Sequence, residues 1–383
     1  MGIIFSSFNG LEPFPKLRFL EFKNTYKKIK LNKAVERIQR KDPTSEAPVM
    51  MLSAASGFIM QSEKYSRENA GQSLKKYILL KKGELAYNHG ASKYKPFGCC
   101  FELKEEEARI PYVYHCFAVK ENNDKSYIAR LLNNQKIDQQ LKRLISSSVR
   151  MDGLLNISYE EYTGIDLYLP SLPEQQKIAD FLSLVDQRIE KQRQLVESLK
   201  KYKRGLLSAI FDKISSTSTL TLGEICNITT GKLDANAMVV GGKYRFYTCA
   251  REYFEIDTYA FDTDALLISG NGANVGYIHH YCGKFNAYQR TYVLDGFQEN
   301  IMYIYYYLQA NLHPRIEAEK KAGNTPYIVL STLSDMLIKL PAKERQNNIA
   351  KIFAILDKKI MVENDVLERL NTQKQGLLQQ MFI

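Results

Sequence analysis

The 383-residue chain has no apolar run near the roughly 18 residues that a membrane-spanning helix requires. Its N-terminus also lacks a basic segment followed by an apolar core and a small-residue cleavage site, so the expectation is a cytoplasmic protein with no membrane partner. Cys99, Cys100, Cys116, Cys226, Cys249 and Cys282 contain no C-x-x-C pair. His89, His115, His279, His280 and His313 show no H-E-x-x-H or similar spacing. No metal site is therefore expected, and the cysteines read as buried thiols in a reducing compartment. There is no G-x-x-x-x-G-K-[ST] phosphate loop and no Asn-Pro-Pro-aromatic run of the kind amino-methyltransferases use. The glycine-rich stretch Gly270–Gly276 misses G-x-G-x-x-G and follows no βαβ unit, which makes it a turn or, alternatively, a binding loop. Catalytic residues are thus expected to be absent. Met1-Gly2 with Ser6 fits the N-myristoylation pattern, but that pattern is short and recurs by chance.

What the chain does contain is the composition of a folded protein: 45% hydrophobic and 25% charged residues, with a mean hydropathy of −0.32. At about 150 residues per domain, its length implies two or three domains. Fifty-three Lys and Arg against 42 Asp and Glu leave a net charge of +11, which makes a polyanionic partner such as nucleic acid plausible. The excess is uneven: residues 1–173 carry 27 basic and 19 acidic side chains, residues 214–342 only 10 and 12. Counterion-driven binding should lean on the first half.

The most informative feature is a repeat. Residues 169–211 read LPSLPEQQKIADFLSLVDQRIEKQRQLVESLKKYKRGLLSAIF, and residues 340–382 read LPAKERQNNIAKIFAILDKKIMVENDVLERLNTQKQGLLQQMF, a gapless match at an offset of 171. Gln175 aligns with Gln346, Asp186 with Asp357, and Gly205-Leu206-Leu207 with Gly376-Leu377-Leu378. In the first copy Ile178, Leu182, Val185 and Ile189 advance by 4, 3 and 4; Ile349, Phe353, Leu356 and Ile360 repeat the stripe. Leu195, Leu199, Tyr202 and Leu206 resume it one residue out of phase. This is a coiled-coil seam, and the simplest partner for each helix is the other copy, with Leu199 and Leu370 also pairing. Pro170, Pro173 and Pro341 punctuate the helix starts. About 38 residues at 1.5 Å each give a rod of roughly 57 Å.

The chain between the rods splits into residues 1–168 and 214–339, with rods at 169–213 and 340–383 and a Ser/Thr hinge at 215–219. Each globular piece shows strand-type runs first (Tyr77 to Leu80 and Tyr112 to Val119; Tyr244 to Thr248 and Ala265 to Ile268) and then a helical segment (about 127–145; 299–310). The predicted fold class is α+β: two globular domains alternating with two long helices packed as an antiparallel coiled coil, with pseudo-two-fold symmetry. Such an object is a caliper. Duplex DNA repeats every 34 to 36 Å, so a rod of roughly 57 Å would hold two unlike grips on the order of one to two helical turns apart.

The two repeated segments closely resemble the conserved regions of the specificity subunit of Type I restriction-modification systems. Further pieces fit: PKLRF at Pro15–Phe19, GELAYNHGASKYKPFG at Gly83–Gly98, SVRMDGLLNIS at Ser148–Ser158, and ISGNGANVGYI followed by GKF at Ile268–Phe285. Met1–Gly10 matches nothing in the family. The resemblance implies two target-recognition domains, each reading one half of a bipartite asymmetric sequence in double-stranded DNA, with the helices setting the spacing. It further implies that two DNA-methyltransferase subunits dock on the helices and that motor-nuclease subunits join them. S-adenosylmethionine would then belong to the methyltransferase, ATP and Mg to the motor-nuclease, and no cofactor to this chain.

Candidate DNA contacts in the first domain are Tyr87, Asn88, His89, Ser92, Lys93, Tyr94 and Lys95, a loop of amide, hydroxyl, cation and aromatic groups, together with Arg150. Lys93 and Lys95 suit phosphates, and Asn88 or His89 base edges; an ordinary basic loop is the alternative. In the second domain Asn271, Asn274, Lys284, Gln289 and Arg290 cluster, with Lys320, Lys321, Asn324 and Thr325 behind them. Turn-forming Asn and a solvated helix end are the competing readings. The run Ile301–Leu308 (IMYIYYYL) could stack bases but at helical spacing reads as core, with Ile301, Ile304, Tyr305 and Leu308 on one face. Two rivals stay open: a self-sufficient modification enzyme with a hidden site, and a coiled-coil scaffold without a DNA role.

Overall fold

The computed structural model describes residues 3–5, 14–64, 71–92, 95–145, 155–319 and 327–383. The chain forms two compact units, residues 1–191 with 367–383, and residues 192–366, so each unit takes one end of both long helices.

In the first unit, Lys27–Lys30 pairs antiparallel with Asp166–Leu169, and the Asp166 carboxylate holds Lys28 (3.1 Å) and Lys30 (2.6 Å). Beside this ribbon lies a four-stranded antiparallel sheet in the order Val35–Arg37, His115–Val119, Leu85–Asn88, Cys99–Glu102. Side chains alternate across a strand, and here the alternation builds two cores. Leu85, Tyr87 and Phe117 join the helical side, whereas Ala86 and Cys116 join a second cluster with Leu80, Ala108 and Ile110 from the ribbon Ile78–Lys81 and Glu107–Ile110. The predicted single helix at 127–145 is two, Lys125–Leu131 and Gln135–Leu144. Asn134 interrupts it by accepting from the Lys136 N–H as an N-cap, as Asp124 does from Tyr127 for the first. In the first turn of the long helix, Glu174 is gripped bidentately by the buried guanidinium of Arg18 (2.7 and 2.8 Å), and the Tyr26 hydroxyl donates to the same carboxylate (3.1 Å).

The second unit repeats the ribbon, Ser218–Thr221 against Leu337–Leu340, next to a six-stranded sheet. Its order is Asn227–Thr230, Thr291–Asp295, Phe261–Ser269, Ile278–Ala287, Tyr244–Tyr247, Phe254–Ile256, with one parallel pairing, Tyr244–Tyr247 on Ile278–Ala287. Leu266, Ile268 and Leu294 face the helices; Ala265, Leu267 and Val293 face a smaller core with Tyr247 and Phe285. The helix Ile301–Glu319 outruns its expected end and passes through Pro314. It buries Tyr303, Tyr306 and Tyr307 as well as Ile304 and Leu308, a wider face than the stripe predicted. The three hydroxyls can be buried because each donates a hydrogen bond, to Lys339 O (2.5 Å), Asp357 Oδ2 (2.9 Å) and Leu337 O (3.2 Å).

The long helices run Leu172–Asp212 and Lys343–Met381. Within each unit they pack antiparallel: Ile178 and Leu182 share a core with Met381 and Phe382 in one, and in the other Lys203 reaches Asp357 (2.6 Å) while Phe211 stacks on Phe353 (6.1 Å). Ile189 and Ile349 are also buried, and Val185, Leu199, Leu356, Ile360 and Leu370 are half-buried. The expected phase jump does not occur. Leu195 and Tyr202 are 41% and 62% exposed, because the seam continues through Gln192, Val196, Leu199 and Lys203. Its polar members are satisfied: Gln192 Nε2 donates to Glu363 O (3.0 Å) and Oε2 (2.6 Å).

A single joint secures the helices in both units. Gln175 accepts from Asp124 N (3.0 Å) and donates to Pro170 O (3.0 Å); Gln346 accepts from Asn300 N (3.2 Å) and donates to Pro341 O (2.9 Å). Asp186 holds Lys374 and Arg130 (2.7 Å each), and Asp357 holds Lys203 (2.6 Å) and Tyr306 (2.9 Å). Phe382 packs on Tyr127 (5.1 Å), Phe211 on Tyr303 (5.7 Å). Gln346, Asp357, Lys203 and Phe211 each lie 171 positions from their equivalents Gln175, Asp186, Lys374 and Phe382.

Candidate nucleic-acid interface

In the first unit the predicted loop is largely structural. Tyr87 is 1% exposed, stacks on Tyr162 at 3.8 Å and donates to Phe97 O (2.6 Å), so it is a core aromatic and not a DNA contact. His89 is also buried, with Nδ1 on Leu155 O (2.9 Å) and Nε2 on Val113 O (3.0 Å), which leaves no ring nitrogen for a base edge. Asn88 donates to Leu52 O (3.3 Å) and accepts from Gly90 N (2.9 Å); Ser92 accepts from Lys95 N (3.1 Å); Lys95 donates to Asn133 O (2.9 Å). These half-buried groups tie the loop to its own domain. Lys93, Tyr94 and Arg150 lie outside the described residues, as do Lys320, Lys321, Asn324 and Thr325.

In the second unit three loops converge. Gly270 N donates to Arg290 O (2.8 Å), Ile328 N to Gly270 O (2.8 Å), and Asn271 bridges Tyr327. Gln289 and Arg290 are exposed there, beside Tyr327. Glycine is required at 270, where a Cβ would lie 2.4 Å from Arg290 O, and at 272 and 276, whose φ of +78° suits few other residues. The stretch is therefore a turn that lets other side chains approach. Asn274 spends its amide internally, with Nδ2 donating to Cys249 O (3.0 Å) and Oδ1 accepting from Arg251 Nε (3.3 Å). Lys284 sits elsewhere on the sheet, over the Tyr259 ring (4.6 Å) and 4.0 Å from Asp262. The sequence reading missed Arg251 and Tyr277, which flank this loop with the guanidinium 5.8 Å from the ring centre. Their signal is a cation and an aromatic 26 positions apart, which no local motif reveals.

His279 donates Nε2–H to Ala250 O (3.0 Å), and burial lowers its proton affinity. Burial likewise lowers that of His115, which faces Ile157 O (2.9 Å). Burial pushes the Cys99 thiol up to about 11 and that of Cys226 to about 12, and raises Cys100 and Cys116 as well. The reading of all six thiols as buried fails at Cys249, which is half-buried, and at Cys282, which is exposed. Among the described residues no group of three or more His, Cys, Asp or Glu could hold a metal ion, and no helix is long and apolar enough to cross a membrane.

Beside the joint each unit has a cleft: about 600 Å³ lined by Arg130, Asp186 and Lys374 in the first, about 420 Å³ lined by Lys203, Tyr305 and Asp357 in the second. The helices also expose Leu184 (60%) and Ile355 (62%), which are repeat counterparts.

The crystal structure of a Type-I restriction-modification S subunit from M. genitalium covers 97% of this chain and 99% of its own, with a TM-score of 0.62 at 18% identity. A second structure, from work on complex assembly and conformational transition of the type I R-M system, covers 94% and 98% with a TM-score of 0.58 at 15% identity. These likenesses concern the fold. In sequence, the specificity subunit of the Type I restriction enzyme EcoDI of Escherichia coli is 41% identical over 133 residues, 35% of this chain and 29% of that protein. A putative type I specificity subunit of Mycoplasma genitalium is 26% identical over 234 residues, 55% of this chain and 59% of its own length. The chain thus spans under two thirds of either curated relative. The Type I restriction modification DNA specificity domain profile matches residues 61–201 and 215–372, most of both units, and the chain belongs to that family.

Proposed function

We propose that this chain is a non-catalytic DNA-reading subunit whose two globular domains each recognise one half of a bipartite, asymmetric duplex target. The paired helices fix the gap between the halves and dock two methyltransferase subunits, which supply S-adenosylmethionine and flip the target bases. Motor-nuclease subunits, with their ATP and Mg, join the same complex in the cytoplasm. The observation that carries this reading is the duplicated joint: equivalent helix residues make equivalent contacts in both units, while the sheets and loop ends they support are unlike. A partner that binds the joint meets it twice, and a partner that binds the loops meets two different surfaces. The repeated clefts and the exposed pair Leu184 and Ile355 favour two copies of one partner.

Co-expression with a type I methyltransferase subunit, followed by sequencing of methylated positions, tests this. One gapped asymmetric motif is expected; a contiguous motif or none would refute it. Methylation by the isolated chain would show instead a self-sufficient enzyme, and duplex binding without sequence preference a scaffold.

A further inference from the structure

We propose that Arg251 reads a guanine edge in the half-site of the second domain and that Asn274, a candidate DNA contact by sequence, is its positioning residue. The inference rests on the reading that this domain contacts DNA and adds which group does so.

The backbone leading to Arg251 is pinned at two successive carbonyls, Cys249 O by Asn274 Nδ2 (3.0 Å) and Ala250 O by His279 Nε2 (3.0 Å). The guanidinium is then oriented twice. Its Nε donates to Asn274 Oδ1 (3.3 Å), and its carbon lies 5.8 Å from the centre of the Tyr277 ring, which itself packs edge-on against His279 (4.8 Å). Both ends of the Asn274 amide are engaged in this arrangement, which orients it by Cys249 and Arg251. Arg251, in contrast, is exposed. With Nε held, the two terminal NH₂ groups remain as a planar fork, the donor pattern that matches guanine O6 and N7 in the major groove. Fixing the plane of a guanidinium serves a bidentate contact, which either a base edge or a phosphate can accept; salt dependence separates the two. The exposed Gln289 and Arg290 belong to the same group of loops, since Cys249 Sγ contacts Arg290 O (3.4 Å).

The test is the methylome of cells expressing the full chain with its methyltransferase, as wild type, Arg251→Ala, Arg251→Lys and Asn274→Ala. The alanine and lysine variants at 251 should both relax one G·C position of one half-site, with discrimination falling about 10- to 100-fold, while the other half-site and the gap stay unchanged. Asn274→Ala should relax the same position to a smaller degree, an effect that loss of fold alone would not confine to one base pair. The proposal is overturned if Arg251→Lys keeps full stringency at every position. It is equally overturned if either variant at 251 weakens methylation uniformly, with recovery at low salt and the motif intact, because that is the behaviour of a phosphate contact. Should Arg251→Ala abolish methylation, the lysine variant, which keeps the charge, decides. A wild-type chain that yields no gapped motif would refute the functional reading itself, a result separable from any of these.

Discussion

The two units secure the long helices by the same chemistry and repeat the same ribbon, but their larger sheets and loops differ. Each has a buried glutamine at the first turn, an aspartate gripping a lysine of the facing helix, and a phenylalanine plugged onto a tyrosine. Yet the second partner of the aspartate is Arg130, an ion pair, in one and Tyr306, a hydrogen-bond donor, in the other, so what recurs is a polar partner and not a residue. The helix anchors diverge further. Glu174 is buried under Arg18, whereas its counterpart Arg345 is exposed. The lesson is that the joint and the loops obey separate constraints, one set by the helices and one by whatever each domain touches.

The largest effect should come from breaking the anchor that only the first unit has. Glu174→Ala strands the buried Arg18 guanidinium and should cost that unit about 3–5 kcal/mol. Arg345→Ala, at the same place in the repeat, should stay within about 0.5 kcal/mol. Hydrogen exchange across denaturant, resolved by unit, measures both; equal costs would show that the units are anchored alike after all. Of the same order, Phe382→Ala and Phe211→Ala each remove an aromatic side chain 2% exposed and should cost about 3–5 kcal/mol apiece in their own units. A large disparity between them in the same measurement would break the equivalence of the joints.

Acid should act on both units in the same sense. His115 and His279 are each pulled below the usual value of 6.5 by burial, so the unfolded chain takes up their protons first. Their stability contribution is complete above about 6.5 and declines as pH falls below it, by an amount His115→Phe should reduce in the first unit alone. Unit-resolved exchange between pH 7 and 5 would show this, and a slope left unchanged by the substitution would remove His115 from the account.

The helices and their repetition were legible because a gapless match carries its own control: apolar spacing at Ile178, Leu182, Val185 and Ile189 recurs at Ile349, Phe353, Leu356 and Ile360. The phase of the seam was not, because Gln192 and Lys203 occupy it by virtue of Glu363 and Asp357, and hydrophobic periodicity cannot register a polar residue whose partner lies more than 150 positions away. The candidate site was read less well for a related reason. Tyr87 and His89 look like surface groups until Tyr162, Leu155 and Val113 fold over them, and Arg251 is oriented by residues of another loop. Residue type is local, but burial and pre-organisation are not.

The smallest predicted effect is also the sharpest probe of how alike the joints are. Asp186 stands between two cations, Arg130 and Lys374, whereas Asp357 faces one cation, Lys203, and the neutral Tyr306. The charged groups are all partly exposed, so each ion pair contributes only about 0.5–1 kcal/mol. Removing the carboxylate, however, leaves unlike residues of charge. Asp186→Asn exposes Arg130 and Lys374 to each other's repulsion; Asp357→Asn leaves Lys203 beside a hydroxyl. The first substitution should therefore cost a few tenths of a kcal/mol more than the second, and the excess should fade as ionic strength rises and the Debye length shrinks from about 10 Å at 0.1 M to about 3 Å at 1 M. Denaturation of both variants at two salt concentrations supplies the numbers. Equal costs at low salt would mean that Arg130 bonds to Asp186 without contributing charge repulsion when the carboxylate is lost, and the replacement of Arg130 by Tyr306 across the repeat would then be electrostatically neutral.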